Sequence, residues 1–158
     1  MDVKKIFFEY FFSPSRRLKR IYFRACRYEK LPAPFRYLRE LPRRRIVDLF
    51  SCYLSPKASL HESVYFPHPV GIVIGDGVRV GKGCIIYQNV TLGAARKGEG
   101  HQGLYPEVGE NVIIYAGAVI VGGVTIGDNS VIGANAVVNV SVPAGSLAVG
   151  VPVKIKAI

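Results

Sequence analysis

Aliphatic side chains recur every six residues over the C-terminal two thirds of the chain. From Ile74 they fall at Val80, Ile86 and Leu92. After an interruption over 94–107 they resume at Val108 and continue through Ile114, Ile120, Ile126, Ile132 and Val138. Four residues after these starts stand small or β-branched residues: Val78, Cys84, Val90, Val112, Ala118, Val124, Ser130, Ala136 and Val142. The one exception, Arg96, falls in the interruption. A period of six fits neither an α-helix (about 3.6) nor a simple strand (about 2). It predicts a parallel β-helix of hexapeptide repeats, with three hexads to each triangular coil. The starting aliphatic points inward and stacks on its equivalent one coil away, so the core is a continuous column. Gly, Asn and Asp supply the turns, because they tolerate positive φ. Upstream, Leu54, Leu60, Phe66 and Ile72 keep the spacing, with Ala58, Val64 and Val70 four residues on. A two-residue slip separates Ile72 from Ile74. The β-helix domain is therefore placed at 54–158, with a loop at 94–107.

Residues 1–53 read instead as a helical arm. Ser13-Pro14-Ser15 is a helix-start signal. Leu18, Ile21, Tyr22 and Ala25 share one face, with basic residues around it. Pro32 and Pro34 break the pattern. A second helical segment is expected over about 35–53, with Phe35, Leu38, Leu41, Ile46, Val47 and Phe50 apolar and Pro42 interrupting. These helices are expected to cover the open first coil, since a bare coil end exposes strand edges.

Charge sharpens this division. The net charge is +10, and residues 1–50 carry 14 Lys/Arg against 5 Asp/Glu, while the remainder carries 7 against 6. No nucleic-acid-binding motif accompanies the basic arm. The arm suits a structural cap, or association with an anionic membrane surface or a lipid-linked glycan. Phe7, Phe8, Phe11 and Phe12 beside Lys4 and Lys5 suit a shallow interfacial helix. No signal peptide is expected, because Glu9 and Pro14 break the N-terminal aromatic run. Cys26, Cys52 and Cys84 form no CxxC pair, which fits a reducing, cytoplasmic setting. The uncharged stretch 129–153 is rich in Asn, Ser, Gly and Pro; it reads as a solenoid wall rather than a membrane span.

Four stretches carry a family resemblance: Pro67-His68-Pro69-Val70-Gly71-Ile72-Val73-Ile74-Gly75, Tyr87-Gln88-Asn89-Val90-Thr91-Leu92-Gly93, Ile114-Tyr115-Ala116-Gly117-Ala118 and Gly150-Val151-Pro152-Val153-Lys154. With these the chain resembles the hexapeptide-repeat acyltransferases, serine acetyltransferase-like group, short polysaccharide-biosynthesis type. The resemblance implies a left-handed parallel β-helix that forms a homotrimer, active sites between adjacent subunits, and acetyl-CoA as donor with no metal. It also implies that His68 is the catalytic base. A hydroxyl becomes a competent nucleophile when a base takes its proton, and a neutral imidazole does so near neutral pH. By the same resemblance Gly93, Ala94, Ala116, Gly117 and Ala134 line the donor slot, and Lys154 meets a coenzyme phosphate. Val153 replaces a usual Ala.

Three acceptor-side positions depart from the serine acetyltransferase pattern. Tyr53 stands where an Asp orients the base, Pro67 where an Asp contacts the amino acid, and Tyr105, before Pro106, where a second His helps bind serine. These departures point to O-acetylation of a sugar or glycan hydroxyl. The alternatives are serine O-acetylation and a non-catalytic trimeric scaffold. Without the Asp, His68 is expected to lean on a backbone carbonyl or on Glu62. Tyr105, Gln88, Asn89 and the loop residue His101 are the candidate acceptor contacts. His61 and Asn135 read as turn residues and Cys84 as core. Three His spaced seven and thirty-three residues apart do not make the three-His metal site of a carbonic anhydrase-like protein on this fold.

Overall fold

A computed structural model describes residues 13–96 and 98–157. The stretch with Phe7, Phe8, Phe11 and Phe12 lies outside the described residues. The chain winds through three sheets in turn. The first stacks β1 (Tyr53–Leu54), β3 (Val73–Ile74), β6 (Thr91–Gly93), β9 (Val119–Val121) and β12 (Val137–Val138). The second stacks β2 (Ser59–Leu60), β4 (Arg79–Val80), β7 (Glu107–Val108) and β10 (Thr125–Ile126). The third stacks β5 (Ile85–Ile86), β8 (Ile113–Ile114), β11 (Val131–Ile132) and β13 (Ser146–Val149) in parallel. β14 (Lys154–Ala157) lies antiparallel on β13 and covers that sheet's lower edge.

The register follows the repeat. Val73 lies opposite Thr91, Ile113 opposite Val131 and Val119 opposite Val137, each pair three hexads apart. Every predicted hexad start from Leu54 to Val138 is buried. The second positions are buried too, except Val70, which is 55% exposed. Its exposure has a local cause. Tyr53 lies opposite Val73, twenty residues on, so the first coil holds two extra residues. They fall in the turn around Pro67–Gly71, and Val70 swings outward there. The last coil is two residues short, since Val131 lies opposite Leu147. Val142, expected at a second position, instead bridges Ile126 and occupies the start of its hexad.

Helix α1 (Pro14–Glu29) and helix α2 (Glu40–Phe50) lie over the first coil, joined through a 3₁₀ segment at Ala33–Arg39. Pro14 occupies the first turn of α1, as its fixed φ favours, while the Ser13 hydroxyl caps nothing. Leu18, Tyr22 and Ala25 are buried. The first coil has no coil above it, and α1 supplies the missing partners. Ser15 Oγ accepts from the Phe66 N–H at 3.1 Å, the Tyr22 hydroxyl donates to the Ala58 carbonyl at 2.6 Å, and Lys19 Nζ donates to the Glu62 carbonyl at 2.9 Å. The segment expected as one helix over 35–53 is split, because Pro32 and Pro34 favour a tight turn before α2. Of its apolar residues Ile46 and Phe50 are buried, whereas Phe35, Leu41 and Val47 are exposed.

Candidate functional site

Each coil turns from the third sheet into the first through one corner. The turns there are centred on residues 67–71, 87–89, 115–117 and 133–135. Backbone bonds stack them: the Asn89 N–H donates to the Val70 carbonyl at 2.9 Å, Gly117 to Gln88 at 3.0 Å and Asn135 to Ala116 at 2.9 Å. His68, Gln88, Asn89, Ala116, Gly117 and Ala134 therefore form one column, about 5 Å per coil. Lys154, opposite Val149, lies at its foot and is exposed.

His68 sits on the two-residue enlargement of the first coil. Pro69 beside it is buried and the Val70 N–H donates to the His68 carbonyl at 2.8 Å, which fixes the turn. The imidazole is exposed and its nitrogens have no hydrogen-bond partner among the described residues. Its ring centroid lies 6.3 Å from that of Tyr87, which stacks on Tyr115 at 5.2 Å and 22°. Among the described residues none hydrogen-bonds to the His68 ring to orient it. Tyr53 lies on the outer face of the first sheet, 56% exposed. Glu62, named above as a possible support, lies at the second-to-third corner beside Lys19 of α1.

Gln88 has its Oε1 shut off from solvent with no donor among the described residues. A buried acceptor of this kind costs free energy until a partner arrives. Asn89 does other work. It holds a left-handed φ of 58°, and its Oδ1 occupies the space where a Cβ on Gly71 would sit, 2.2 Å away. Asn135 repeats this beneath Gly117, whose own φ is 73°. Both asparagines are turn residues whose Oδ1 packs under a glycine, and Asn89 is exposed at the corner of His68.

Gly93 and Ala94 lead out of β6 at a different corner, first-to-second, where the 94–107 loop leaves the coil. The Ala95 and Arg96 N–H groups donate to the Glu99 carboxylate at 3.0 Å each, closing the loop on itself. The Tyr105 ring lies over Gly75 and Gly77; a Cβ on Gly77 would come 2.3 Å from it. Tyr105 thus braces the loop against the coil. His101 borders a cleft with Lys57, Asp76 and Arg79. There the Ser55 hydroxyl at 2.7 Å and, less strongly, Lys57 hold the Asp76 carboxyl below the usual carboxylate range. One chain does not bring His101, Tyr105, Gly93 or Ala94 to the corner of His68, because the first sheet separates the two corners. Among the described residues no three His, Cys, Asp or Glu side chains gather as metal ligands.

A further pattern is visible in the residue preceding each hexad start, which points outward. On the second sheet these are Ser59, Arg79, Glu107 and Thr125. On the first they are Tyr53, Val73, Thr91, Val119 and Val137, and on the third Tyr65, Ile85, Ile113, Val131 and Leu147. Two outer faces are apolar and one is polar. The inward six-residue period carries no sign of this; the outward positions one residue ahead do.

Comparison with known proteins agrees with the repeat. Residues 105–139 match the family model described as bacterial transferase hexapeptide (six repeats). A serine acetyltransferase of Staphylococcus xylosus is 43% identical over 99 residues, 63% of this chain and 45% of that protein. One from Synechococcus elongatus is 38% identical over 124 residues, 78% of this chain and 48% of that protein. The chain thus spans just under half the length of these curated relatives. Among solved structures, the Neisseria gonorrhoeae serine acetyltransferase in complex with serine superposes with a TM-score of 0.82 at 27% identity, over 95% of this chain and 60% of that one. A serine acetyltransferase in complex with CoA gives 0.76 at 31%, over 88% and 55%. The mainly β fold is the left-handed parallel β-helix of those structures with a short helical arm, and the chain is a hexapeptide-repeat protein of the serine acetyltransferase-like group.

Proposed function

We propose that the chain transfers an acetyl group from acetyl-CoA to a hydroxyl, with His68 as general base. The observation that carries this reading is the exposed, unpartnered imidazole at the head of a column of small residues. The acceptor hydroxyl gives its proton to the imidazole as its oxygen attacks the thioester carbonyl. Backbone N–H groups stabilise the tetrahedral oxyanion. Collapse breaks the C–S bond, and the imidazolium returns the proton to the leaving thiolate. Ala116, Gly117 and Ala134 leave room for the pantetheine arm along the corner, and Lys154 meets a phosphate at its foot. Gly93, Ala94, His101 and Tyr105 join this site from the loop corner of a second copy. The two apolar outer sheet faces support a homotrimer that makes such a site, since exposed apolar faces of this kind mark contact surfaces.

The acceptor we favour is a sugar or glycan hydroxyl, in polysaccharide biosynthesis. Serine carries two charges, and each needs a counter-charge when desolvated. The corner turns around His68 (67–70, 87–89, 115–117 and 133–136) contain no charged side chain. The aromatic pair Tyr87–Tyr115 and the orphaned Gln88 Oε1 suit a neutral polyol better. The second reading, serine, is favoured by the name of the curated relatives cited above. Free thiols at Cys26, Cys52 and Cys84 suit a cytoplasmic reaction. The test is mass-spectrometric product analysis of the full chain with acetyl-CoA, L-serine and a panel of sugars and nucleotide sugars. Acetylated sugar alone is expected. Acetylated serine alone would overturn the acceptor assignment while leaving the chemistry. If nothing is acetylated and a calorimetric titration detects no coenzyme A binding, the scaffold reading replaces the enzyme.

A further inference from the structure

The outer side of the helical cap carries a surface that neither capping nor catalysis uses. Arg17, Arg20, Arg24 and Arg27 recur at i, i+3, i+7 and i+10, so α1 presents them as one stripe. Arg45 of α2 faces them across a groove of about 240 Å³, floored by Ile21 and Leu49. Leu41 and Leu49 flank Arg45 one helical turn to either side, 56% and 45% exposed. Phe35 and Tyr37 of the 3₁₀ segment are exposed as well. The described carboxylates of the cap point elsewhere. Glu29 and Glu40 both pair with Arg43, at 2.7 and 2.8 Å, and Asp48 lines the cleft beside Cys52 and Tyr53. Arg17, Arg24, Arg27 and Arg45 have no carboxylate partner among the described residues.

We propose that this arginine-and-leucine face docks the protein on an anionic lipid bilayer, with the arginines at the phosphates and Leu41 and Leu49 in the interface. Charge decides against a second copy as occupant, because residues 13–50 carry 12 Lys/Arg against 3 Asp/Glu, and two such faces repel. The aliphatic component decides against nucleic acid, which rewards arginine but not exposed leucine. Among the described residues no helix is long and apolar enough to cross a membrane, so the contact is peripheral. The cap sits on the first coil, the coil that carries His68, so docking brings that corner near the membrane surface. The proposal does not depend on the acetyl-transfer reading.

The test is co-sedimentation of the full chain with vesicles of phosphatidylcholine alone or mixed with phosphatidylglycerol, beside a duplex DNA titration. Binding is expected to the mixed vesicles only and to weaken as salt rises. Each arginine removed lowers the partition coefficient about fivefold, so Arg24→Gln/Arg45→Gln loses about twenty-five-fold. Leu41→Ser/Leu49→Ser is expected to weaken vesicle binding several-fold with DNA binding unchanged. Both pairs are exposed, and an unchanged melting temperature certifies their folding. Equal binding to both vesicle types, or no effect of the arginine pair, overturns the proposal. So does an inert leucine pair with tighter binding to DNA than to vesicles, which would make the face a nucleic-acid surface.

Discussion

The hold of α1 on the first coil rests on two buried hydrogen bonds whose loss is calculable. Tyr22 is 2% exposed, and its hydroxyl reaches the Ala58 carbonyl at 2.6 Å. Burial pushes its phenol well above the ordinary value, so it remains a donor throughout the accessible pH range. Tyr22→Phe keeps the ring and leaves the carbonyl unpaired, at a cost of about 1–3 kcal/mol. Ser15→Ala strips the acceptor from the Phe66 N–H, where Phe66 is 1% exposed, and costs a similar amount. The two sites lie seven residues apart, about 10 Å along the helix, and share no partner. Their effects therefore add, to about 2–6 kcal/mol in the double variant. For a chain of this size that lowers Tm by on the order of 10 °C. Urea unfolding with an unchanged m-value is the assay. A double variant that melts within a degree of the parent would be the opposite result. It would mean that water replaces both side chains and that apolar contact alone secures the cap.

Other expectations follow from the column and the clefts. Ile114 lies opposite Ile86 and Ile132, all fully buried, so Ile114→Ala leaves a void that neither neighbour can close. It should cost about 2–5 kcal/mol by urea unfolding. Asp76 has its carboxyl held low by Ser55 and Lys57. Its stabilising contribution is therefore complete above the unfolded value near 3.9 and is lost as pH falls through the folded value. Asp76→Asn should flatten the acid side of the stability curve and leave the slope near neutral pH as it was.

The hexad pattern was readable because a buried column repeats one instruction fourteen times, and no local accident erases it. Val70 and Val142 escaped for a shared reason. A turn that gains or loses two residues keeps the strands in place but shifts which residue faces inward, and only the paired register exposes the shift. The cap was half legible. α1 has one helical period, so Leu18, Tyr22 and Ala25 announced their face. Across 33–50 two prolines and a 3₁₀ turn break the period, and Phe35, Leu41 and Val47 point away from the core that their apolarity suggested. At the site, motif spacing singles out His68 but does not say which corner of the coil each candidate residue occupies. Tracing the corners separates them: His68 and Ala116 share one edge, while His101 and Tyr105 stand at another. The turn role of Asn89 was not legible beside Gln88; its left-handed backbone and its fit under Gly71 show it. The apolar outer faces were legible in principle, one position ahead of each buried aliphatic.

The proposed role of His68 as base of an acetyl transfer from acetyl-CoA can be tested on the full chain. The direct measurement is free-thiol release from acetyl-CoA, by wild-type chain and His68→Ala, with the acceptor panel present and across pH. With His68 as the base, release is acceptor-dependent and falls by about two to four orders of magnitude in the variant at each pH. Acceptor-dependent release that survives intact in His68→Ala would contradict it.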